Sequence, residues 1–151
     1  MESIHRRPAQ LSDIDTLLVM MERFYAIDGY PFTKEKTRTS LTEFLSDTNL
    51  GSIWLISDGA REMGYIVLAV IYSFEFGGKN AFVDEFYLEP EFRGKGIGRQ
   101  IMDEVCDEAK ALGIHALHLE VEHHNTRALE LYRSFRFSDH HRILMTRLTH
   151  E

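Results

Sequence analysis

The sequence has one cysteine and three prolines, and it has no long hydrophobic run. With only Cys106 present, no internal disulfide can form, and we expect a buried thiol that packs as a small hydrophobe. The longest apolar run, residues 65–72, is far shorter than the ~20 residues that a helix needs to span a bilayer. The first residues, MESIHRRPAQ, lack the apolar segment of a signal peptide. We therefore expect a cytoplasmic protein without a membrane anchor.

Runs of Lys and Arg are also missing, and the formal net charge is −7. Nucleic acid is therefore not expected as the main ligand, because its phosphates attract basic patches. The acidic surface favours cationic substrates, but only weakly. Hydrophobic residues make up 44% and charged residues 27% of the 151 positions, as is typical of a soluble globular protein. This length predicts one domain over residues 1–151.

The chain is organised around a predicted strand that runs into a glycine-rich turn and then into a helix. Apolar and aromatic residues over positions 82–88 predict a mostly buried strand, which Pro90 ends. Three glycines follow at alternate positions within residues 93–98, and apolar residues at helical spacing begin at Ile97. Main-chain N–H groups at a helix start, bared by glycine and flanked by basic side chains, are typical of a phosphate or pyrophosphate site.

The spacing of the glycines separates three kinds of anion-binding turn. A P-loop requires Ser or Thr after its Gly-Lys pair, whereas Gly94-Lys95 is followed by Gly96. A dinucleotide-binding turn has the spacing GxGxxG, whereas this chain has GxGxG. The third pattern, (Gln/Arg)-x-x-Gly-x-(Gly/Ala), is matched by Arg93, Gly96 and Gly98. A glycine-rich turn that binds no ligand is the structural alternative.

On these residues the sequence resembles the GNAT superfamily of N-acetyltransferases, in which this turn holds the pyrophosphate of acetyl-coenzyme A. The resemblance implies an α+β fold with a central, mixed, mostly antiparallel twisted sheet of about six or seven strands flanked by about four helices. The order of the predicted elements agrees with that fold. The first half has a strand within residues 2–8, a helix capped by Ser12 or Asp13, a helix over 33–46, and strands over 53–56, 63–72 and 82–88. The second half has a helix from 97 to Gly113, a strand over 115–122, a helix over 125–135, and a closing strand or hairpin with Phe137 and residues 143–148.

A second motif runs from Asn125 to Tyr132 with the sequence NTRALELY, and Arg136-Phe137 follows. It is similar to the closing Asn…Ala…Tyr…Gly-Phe pattern of the family, with Arg136 at the position of the usual glycine. In that family the asparagine contacts the cofactor arm, and the tyrosine hydroxyl lies near the acetyl sulfur. The resemblance implies these cofactor-binding residues: Phe86, Tyr87, Leu88, Arg93, Gly94, Lys95, Gly96, Ile97, Gly98, Arg99, Asn125, Arg127 and Tyr132.

Acetyl transfer to an amine needs a base, because an alkyl amine with a pKa of about 10.4 is almost fully protonated at pH 7. Asp84 and Glu85 are the nearest carboxylates to the turn, and strand alternation predicts that only one of them faces the acetyl group. Some family members carry a catalytic glutamate at the position that matches Asp84, and others use nearby carboxylates or water, so both residues stay candidates.

Tyr132 is the candidate general acid for the departing thiolate, and a core tyrosine is the alternative. Main-chain N–H groups of residues 86–88 are expected to bind the developing oxyanion, which requires this strand to diverge from its neighbour.

Four histidines lie close together in the sequence and raise the possibility of a metal site. His115 and His118 have opposite strand parity, and His123 and His124 fall at a predicted loop, so we expect no bound metal.

The expected function is acetyl-coenzyme A-dependent transfer to a primary amine by direct transfer in a ternary complex. Carboxylates beside aromatic residues favour a small cationic amine, and a peptide or protein amine stays open. The acceptor pocket is predicted from residues 25–44, with the weakly apolar second helix as a movable lid, together with residues 72–76, Glu120 and Glu122. A non-catalytic acyl-coenzyme A sensor on the same fold is the alternative function. Proteins of this size and fold are often dimers, so a homodimer is a further expectation.

Overall fold

The computed structural model describes residues 3–150. The strands are β1 (His5–Pro8), β2 (Gly51–Ser57), β3 (Glu62–Ser73), β4 (Gly78–Leu88) and β5 (Leu117–His118). The helices are α1 (Ile14–Ile27), α2 (Lys34–Ser46), α3 (Ile97–Ala111) and α4 (Thr126–Ser134), with short 3₁₀ turns at Leu11–Asp13 and Pro90–Phe92. The strands form one sheet in the order β1-β2-β3-β4-β5. The first four pair antiparallel, and β5 lies parallel to β4.

The mixed, mostly antiparallel sheet and the four flanking helices confirm the predicted fold, but the strand count is lower. Over residues 3–150 the sheet has five strands, and the predicted strand over 115–122 is reduced to Leu117–His118. The predicted closing strand over 143–148 is wrong. Its alternating apolar residues have strand propensity, but a strand forms only where a neighbouring edge accepts its hydrogen bonds. The segment is irregular and exposed instead, and Arg142 ties it to Glu75 through hydrogen bonds of 2.6 and 2.7 Å.

Most of the residues predicted to cap or end helices lie at the helix ends. Gly113, with φ of +71°, follows the end of α3, and the Asn125 side chain caps α4 by accepting from the Ala128 N–H at 3.2 Å. Asp13 precedes α1, but its carboxylate accepts from the Gln10 N–H at 2.7 Å instead of from the helix. Over residues 3–150, no helix is both long enough and apolar enough to cross a bilayer.

Alternating side chains of the sheet build one core on each face. One core packs α1 and α2 against Ile53, Leu55 and Tyr65. The other packs α3, with the partly buried side of α4, against Trp54 and Ile56. Burial of apolar surface on both faces holds the helices in fixed positions on the sheet.

A β-bulge in β4 changes which side chains share a face. Val67 of β3 lies opposite Glu85, and Leu68 lies opposite Val83, so Asp84 is an extra residue without a partner in β3. In a regular strand Val83, Glu85 and Tyr87 would share one face. The bulge reverses this order: Val83 packs in the α3 core, and Tyr87 packs in the α1 and α2 core.

The second edge of β4 is paired along only part of its length. Its partner β5 is aligned with Ala81 and Phe82 alone. Beyond Phe82, over residues 83–88, β4 has no strand on this side within the described part of the chain. Pairing on this side thus ends before the residues at which divergence was predicted, and in the described structure the backbone groups beyond Phe82 lack strand partners there.

The two-core arrangement predicts a large difference between buried and exposed leucines near the N-terminus. Leu17 of α1 is 0% exposed, and Leu11 is 53% exposed. We expect Leu17→Ala to lower the free energy of unfolding by about 2–5 kcal/mol through lost burial and a cavity. For Leu11→Ala we expect a change of less than about 0.5 kcal/mol. Urea denaturation of both variants measures this, and equal losses would contradict the packing of α1.

Candidate active site

The turn after β4 presents main-chain N–H groups that have no acceptor among the described residues. Gly96, with φ of +82°, precedes α3, and the first helical bond runs from the Gln100 N–H to the Gly96 carbonyl at 3.1 Å. The N–H groups of Ile97, Gly98 and Arg99 therefore point out of the helix start. Within residues 3–150 they donate to no protein atom. Together with the positive end of the helix dipole they form an anion site.

Two glycines of this turn have different reasons to lack a side chain. A Cβ on Gly94 would lie 2.4 Å from Nη2 of Arg127, so this glycine makes room for a guanidinium against the turn. A Cβ on Gly96 would meet nothing within 4 Å, so its absence leaves the approach to the N–H groups open. Both residues have positive φ, which glycine adopts without strain.

Basic side chains around the turn rest on aromatic rings. Arg93 donates through Nε to the Leu88 carbonyl at 2.8 Å, and its guanidinium lies 5.4 Å from the Tyr87 ring centre. This contact fixes the turn to the end of β4. Two further cations lie at cation–π distance from rings, at 5.8 and 5.6 Å: Lys95 over Phe92 and Arg99 over Phe135.

The α4 helix packs beside the unpaired edge of β4. Leu131 and Tyr132 pack against the same core as Phe86 and Leu88. Within the described residues the Tyr132 hydroxyl makes no hydrogen bond. Burial raises the pKa of Tyr132 to about 12. At neutral pH this hydroxyl is therefore protonated and able to donate.

On the other face of the sheet, a cavity of about 460 Å³ lies between α1, α2 and the bulge of β4. Its walls are mostly apolar, with both carboxylates of β4 among the lining residues. The lining residues are Met21, Tyr25, Pro31, Thr33, Lys36, Thr37, Ser40, Leu41, Phe44, Ile53, Val67, Asp84 and Glu85. Residues 72–76, Glu120 and Glu122, which were predicted to contribute, are not among them.

The regular strand alternation behind the prediction that only one of Asp84 and Glu85 faces the acetyl group is interrupted by the bulge. The prediction assumed regular alternation of side chains, but the extra residue brings both carboxylates to the same cavity. Burial raises the pKa of Asp84 above its usual value. Burial also raises the pKa of Glu85, while hydrogen bonds from Tyr25 and Tyr65 partly oppose that rise.

Comparison with known proteins assigns the chain to a family. The sequence model of the acetyltransferase (GNAT) family matches residues 17–137. The chain belongs to this family. It is 35% identical over 81 residues to a thialysine N-epsilon-acetyltransferase of Bos taurus, a match that covers 54% of this chain and 47% of the relative. The chain thus spans about half the length of the thialysine acetyltransferases that it matches.

Solved structures agree with the GNAT assignment of the fold. An integron cassette protein from the mobile metagenome of Cole Harbour Salt Marsh has a TM-score of 0.85 and 31% identity, covering 97% of this chain and 91% of that chain. A predicted acetyltransferase of Clostridium acetobutylicum, solved with acetyl-CoA, has a TM-score of 0.82 and 21% identity over 99% of both chains.

The turn of this GNAT chain fits the pyrophosphate that the family binds. The N–H groups of residues 97–99, which have no acceptor in the described part of the chain, supply donors, and no atom lies within 4 Å of where a Cβ of Gly96 would stand. Arg127 adds positive charge beside Gly94. The edge of β4 over residues 86–88, which has no strand partner on the β5 side within residues 3–150, leads toward this turn.

Sequence reasoning missed the tyrosines that hold Glu85. The Tyr65 hydroxyl donates to Oε1 of Glu85, and the Tyr25 hydroxyl donates to Oε2, both at 2.7 Å. Tyr65 lies in an apolar run of β3 and has the pattern of an ordinary core residue, so no local signal distinguishes it. Tyr25 falls within the segment predicted to line the pocket, but its partner depends on the tertiary fold.

The loop between α1 and α2 contacts the segment after β5. The Tyr30 hydroxyl donates to Glu122, and Nε2 of His124 lies 3.3 Å from the Asp28 carboxylate. These contacts tie the loop to the segment that leads into α4. Leu41 is the one buried residue of α2, so this helix has few apolar contacts with the core. Its movement as a lid stays a prediction.

The histidines do not assemble a metal site in the described part of the chain. Residues 3–150 contain no group of three or more His, Cys, Asp or Glu side chains that could hold an ion. His118 instead lies 3.0 Å from Oδ1 of Asn80 and packs against Phe76 and Phe82. Burial lowers the pKa of His118.

The tyrosine contacts predict the direction in which the pKa of Glu85 moves on mutation. Tyr65→Phe removes a donor that stabilises the charged carboxylate. We therefore expect the pKa of Glu85 to rise by about one unit, since a charge-assisted hydrogen bond contributes ~1.5 kcal/mol. Carboxyl ¹³C NMR titration measures it. Tyr72→Phe, in an exposed part of the same strand, is the control and should leave this pKa unchanged. An unshifted pKa in Tyr65→Phe would contradict the contact.

Proposed function

We propose that the protein is an N-acetyltransferase that moves an acetyl group from acetyl-coenzyme A directly to a primary amine in a ternary complex. The observation that carries the proposal is the position of β4 between two sites. Its end leads into the anion-binding turn, and its bulge presents two carboxylates to a cavity of about 460 Å³. A donor at the turn and an acceptor in the cavity would meet across this one strand.

The comparisons support both partners at the level of chemical class. Family membership and the relative solved with acetyl-CoA support acetyl-coenzyme A as the donor. The name thialysine N-epsilon-acetyltransferase supports a small molecule with a primary amine as the acceptor. The cavity supports this choice, because its volume lies in the range of small-molecule sites. Cytoplasmic location and dimer formation stay predictions from the sequence.

Asp84 is the proposed general base. A primary amine is neutral in only about one molecule in 10³ to 10⁴ at pH 7, which costs roughly 4–5 kcal/mol. Both oxygens of Glu85 already accept from tyrosine hydroxyls. Asp84 has no side-chain hydrogen bond within the described residues, and its side chain is partly desolvated by the cavity but still reaches solvent. Asp84 is therefore the freer acceptor for the amine proton, directly or through one water. Glu85 would hold negative charge beside it and attract the cationic amine.

Tyr132 is the proposed general acid. Bound acetyl-coenzyme A would supply the acetyl group as a thioester. The Tyr132 hydroxyl, with its pKa raised to about 12 by burial, keeps its proton at neutral pH and would donate it toward the leaving sulfur. Because a phenol is a weaker acid than a thiol, solvent or backbone dipoles would share this task.

The donor site is tested by introducing a negative charge at Gly96. Gly96→Asp places a carboxylate against the pyrophosphate, and we expect the Kd for acetyl-coenzyme A, measured by calorimetry, to rise more than tenfold. Gly113→Asp is the matched control, because this glycine at the other end of α3 also has positive φ and open space. Its affinity should stay near that of the unmodified protein. Equal affinities of all three proteins would contradict the donor site.

The base is tested by Asp84→Asn. We expect kcat, measured by release of free coenzyme A thiol across an amine panel, to fall about 10²- to 10⁴-fold. The pKa of Asp84 is raised, so its charged form is lost as pH falls through that raised value. The rate ratio of unmodified protein to variant should therefore shrink toward low pH.

Asp103→Asn, at an exposed carboxylate of α3, is the control and should retain full activity. A ratio that stays constant with pH would assign Asp84 another role. Binding of acetyl-coenzyme A without thiol release from any amine would favour the acyl-coenzyme A sensor.

A further inference from the structure

The cavity beside Asp84 and Glu85 carries opposite charges on two of its walls. The two carboxylates lie on β4, and Lys36 of α2 also lines the cavity. Of the described residues that line it, Lys36 is the one cation. The lining also includes apolar side chains, with Met21, Leu41 and Phe44 among them. Charged groups of both signs and apolar side chains therefore line one cavity.

Lys36 has no ion-pair partner in the described part of the chain. The neighbouring cation Arg38 donates to the Asp15 carboxylate at 2.7 Å, whereas Lys36 forms no salt bridge or side-chain hydrogen bond within residues 3–150. Two of the lining hydroxyls, those of Thr37 and Ser40, already donate to backbone carbonyls. Thr37 donates to the Thr33 carbonyl at 3.0 Å, and Ser40 donates to the Lys36 carbonyl at 3.1 Å. Lys36 is thus the charged donor of this wall that has no partner among the described residues.

These charges discriminate between kinds of amine. The carboxylates favour an ammonium or amine beside β4, and the lysine favours an anion beside α2. A diamine would bring its second cation near Lys36, which is unfavourable. A plain alkyl amine would leave Lys36 without a partner. A molecule with an amine at one end, an apolar chain and a carboxylate at the other end satisfies both walls.

We propose that the acceptor is an amine that also carries a carboxylate, of the amino-acid or ω-amino-acid class, and that Lys36 determines this specificity by binding the carboxylate. The inference rests on the proposed acetyltransferase function and narrows its acceptor. It disfavours polyamines, which the negative charge of Asp84 and Glu85 alone would favour. Lys36 acts on binding and takes no part in proton transfer.

A matched set of acceptors tests the proposal. The compounds 6-aminohexanoate, hexylamine and 1,6-diaminohexane present one amine on similar chains that end in a carboxylate, a methyl group or an ammonium. L-lysine and its methyl ester form a second pair, which differs in the charge of the carboxyl group. Thiol release gives kcat and KM for each compound, and calorimetry with coenzyme A present gives the affinity for 6-aminohexanoate without turnover.

We expect the unmodified protein to prefer each carboxylate-bearing compound by at least about tenfold in kcat/KM, the size of one charge-assisted hydrogen bond. Lys36→Met removes the charge and keeps the length of the side chain. It should abolish the preference by raising KM for the carboxylate-bearing compounds about tenfold, with kcat and the affinity for acetyl-coenzyme A unchanged. Lys34→Met, at an exposed lysine of α2 that does not line the cavity, should keep the full preference.

Two outcomes would overturn the inference, and they differ from failure of the proposed function. If hexylamine or the diamine is used as well as 6-aminohexanoate, the acceptor is not selected by its carboxylate. If Lys36→Met still prefers the carboxylate-bearing compounds, a group other than Lys36 binds the carboxylate. In both cases thiol is released, and the acetyltransferase function stands. If no amine in the panel releases thiol and 6-aminohexanoate does not bind, the proposed function and this inference both fail.

Discussion

The structure depends on the partial separation of two neighbouring strands. β4 pairs with β3 along its length but with β5 only at Ala81 and Phe82. Within the described residues, the backbone of residues 83–88 therefore has no strand partner on one side. The chain continues through a short 3₁₀ turn into the glycine turn whose N–H groups open α3. Unpaired backbone groups are costly when they are buried. An open edge that ends in unpaired N–H donors is therefore stable only where solvent or a ligand reaches it, as an extended molecule with phosphates would.

The bulge at Asp84 links this edge to the opposite face of the sheet. One extra residue reverses the side-chain order, so that two carboxylates reach one cavity while Phe86 and Leu88 keep their place beside α4. Placing Glu85 among apolar neighbours is unfavourable for its charged form, and the hydroxyls of Tyr25 and Tyr65 offset part of that penalty. The bulge thus brings acidic groups close to the backbone edge without exposing the core.

Much of this organisation could be predicted from local sequence, and the failures have physical causes. The glycine spacing after residue 92 and the cap at Asn125 are local signals, and they define the turn and the start of α4 correctly. The bulge could not be predicted, because it depends on the register between β3 and β4 and not on either strand alone. The Tyr65–Glu85 contact depends on the same register. For residues 143–148 the local signal misled the prediction. Their pattern is typical of a strand, but in the described part of the chain no neighbouring strand pairs with them.

The central claim is that the N–H groups at the start of α3 bind the phosphates of coenzyme A. The most direct measurement is a ¹H–¹⁵N NMR titration of the full chain with coenzyme A. We expect saturable shifts for the amides of residues 95–99, with smaller shifts for residues 86–88, while the amide of Gly113 at the other end of α3 stays in place. Saturable binding that leaves the amides of residues 95–99 unmoved would contradict the claim, as would the absence of any binding.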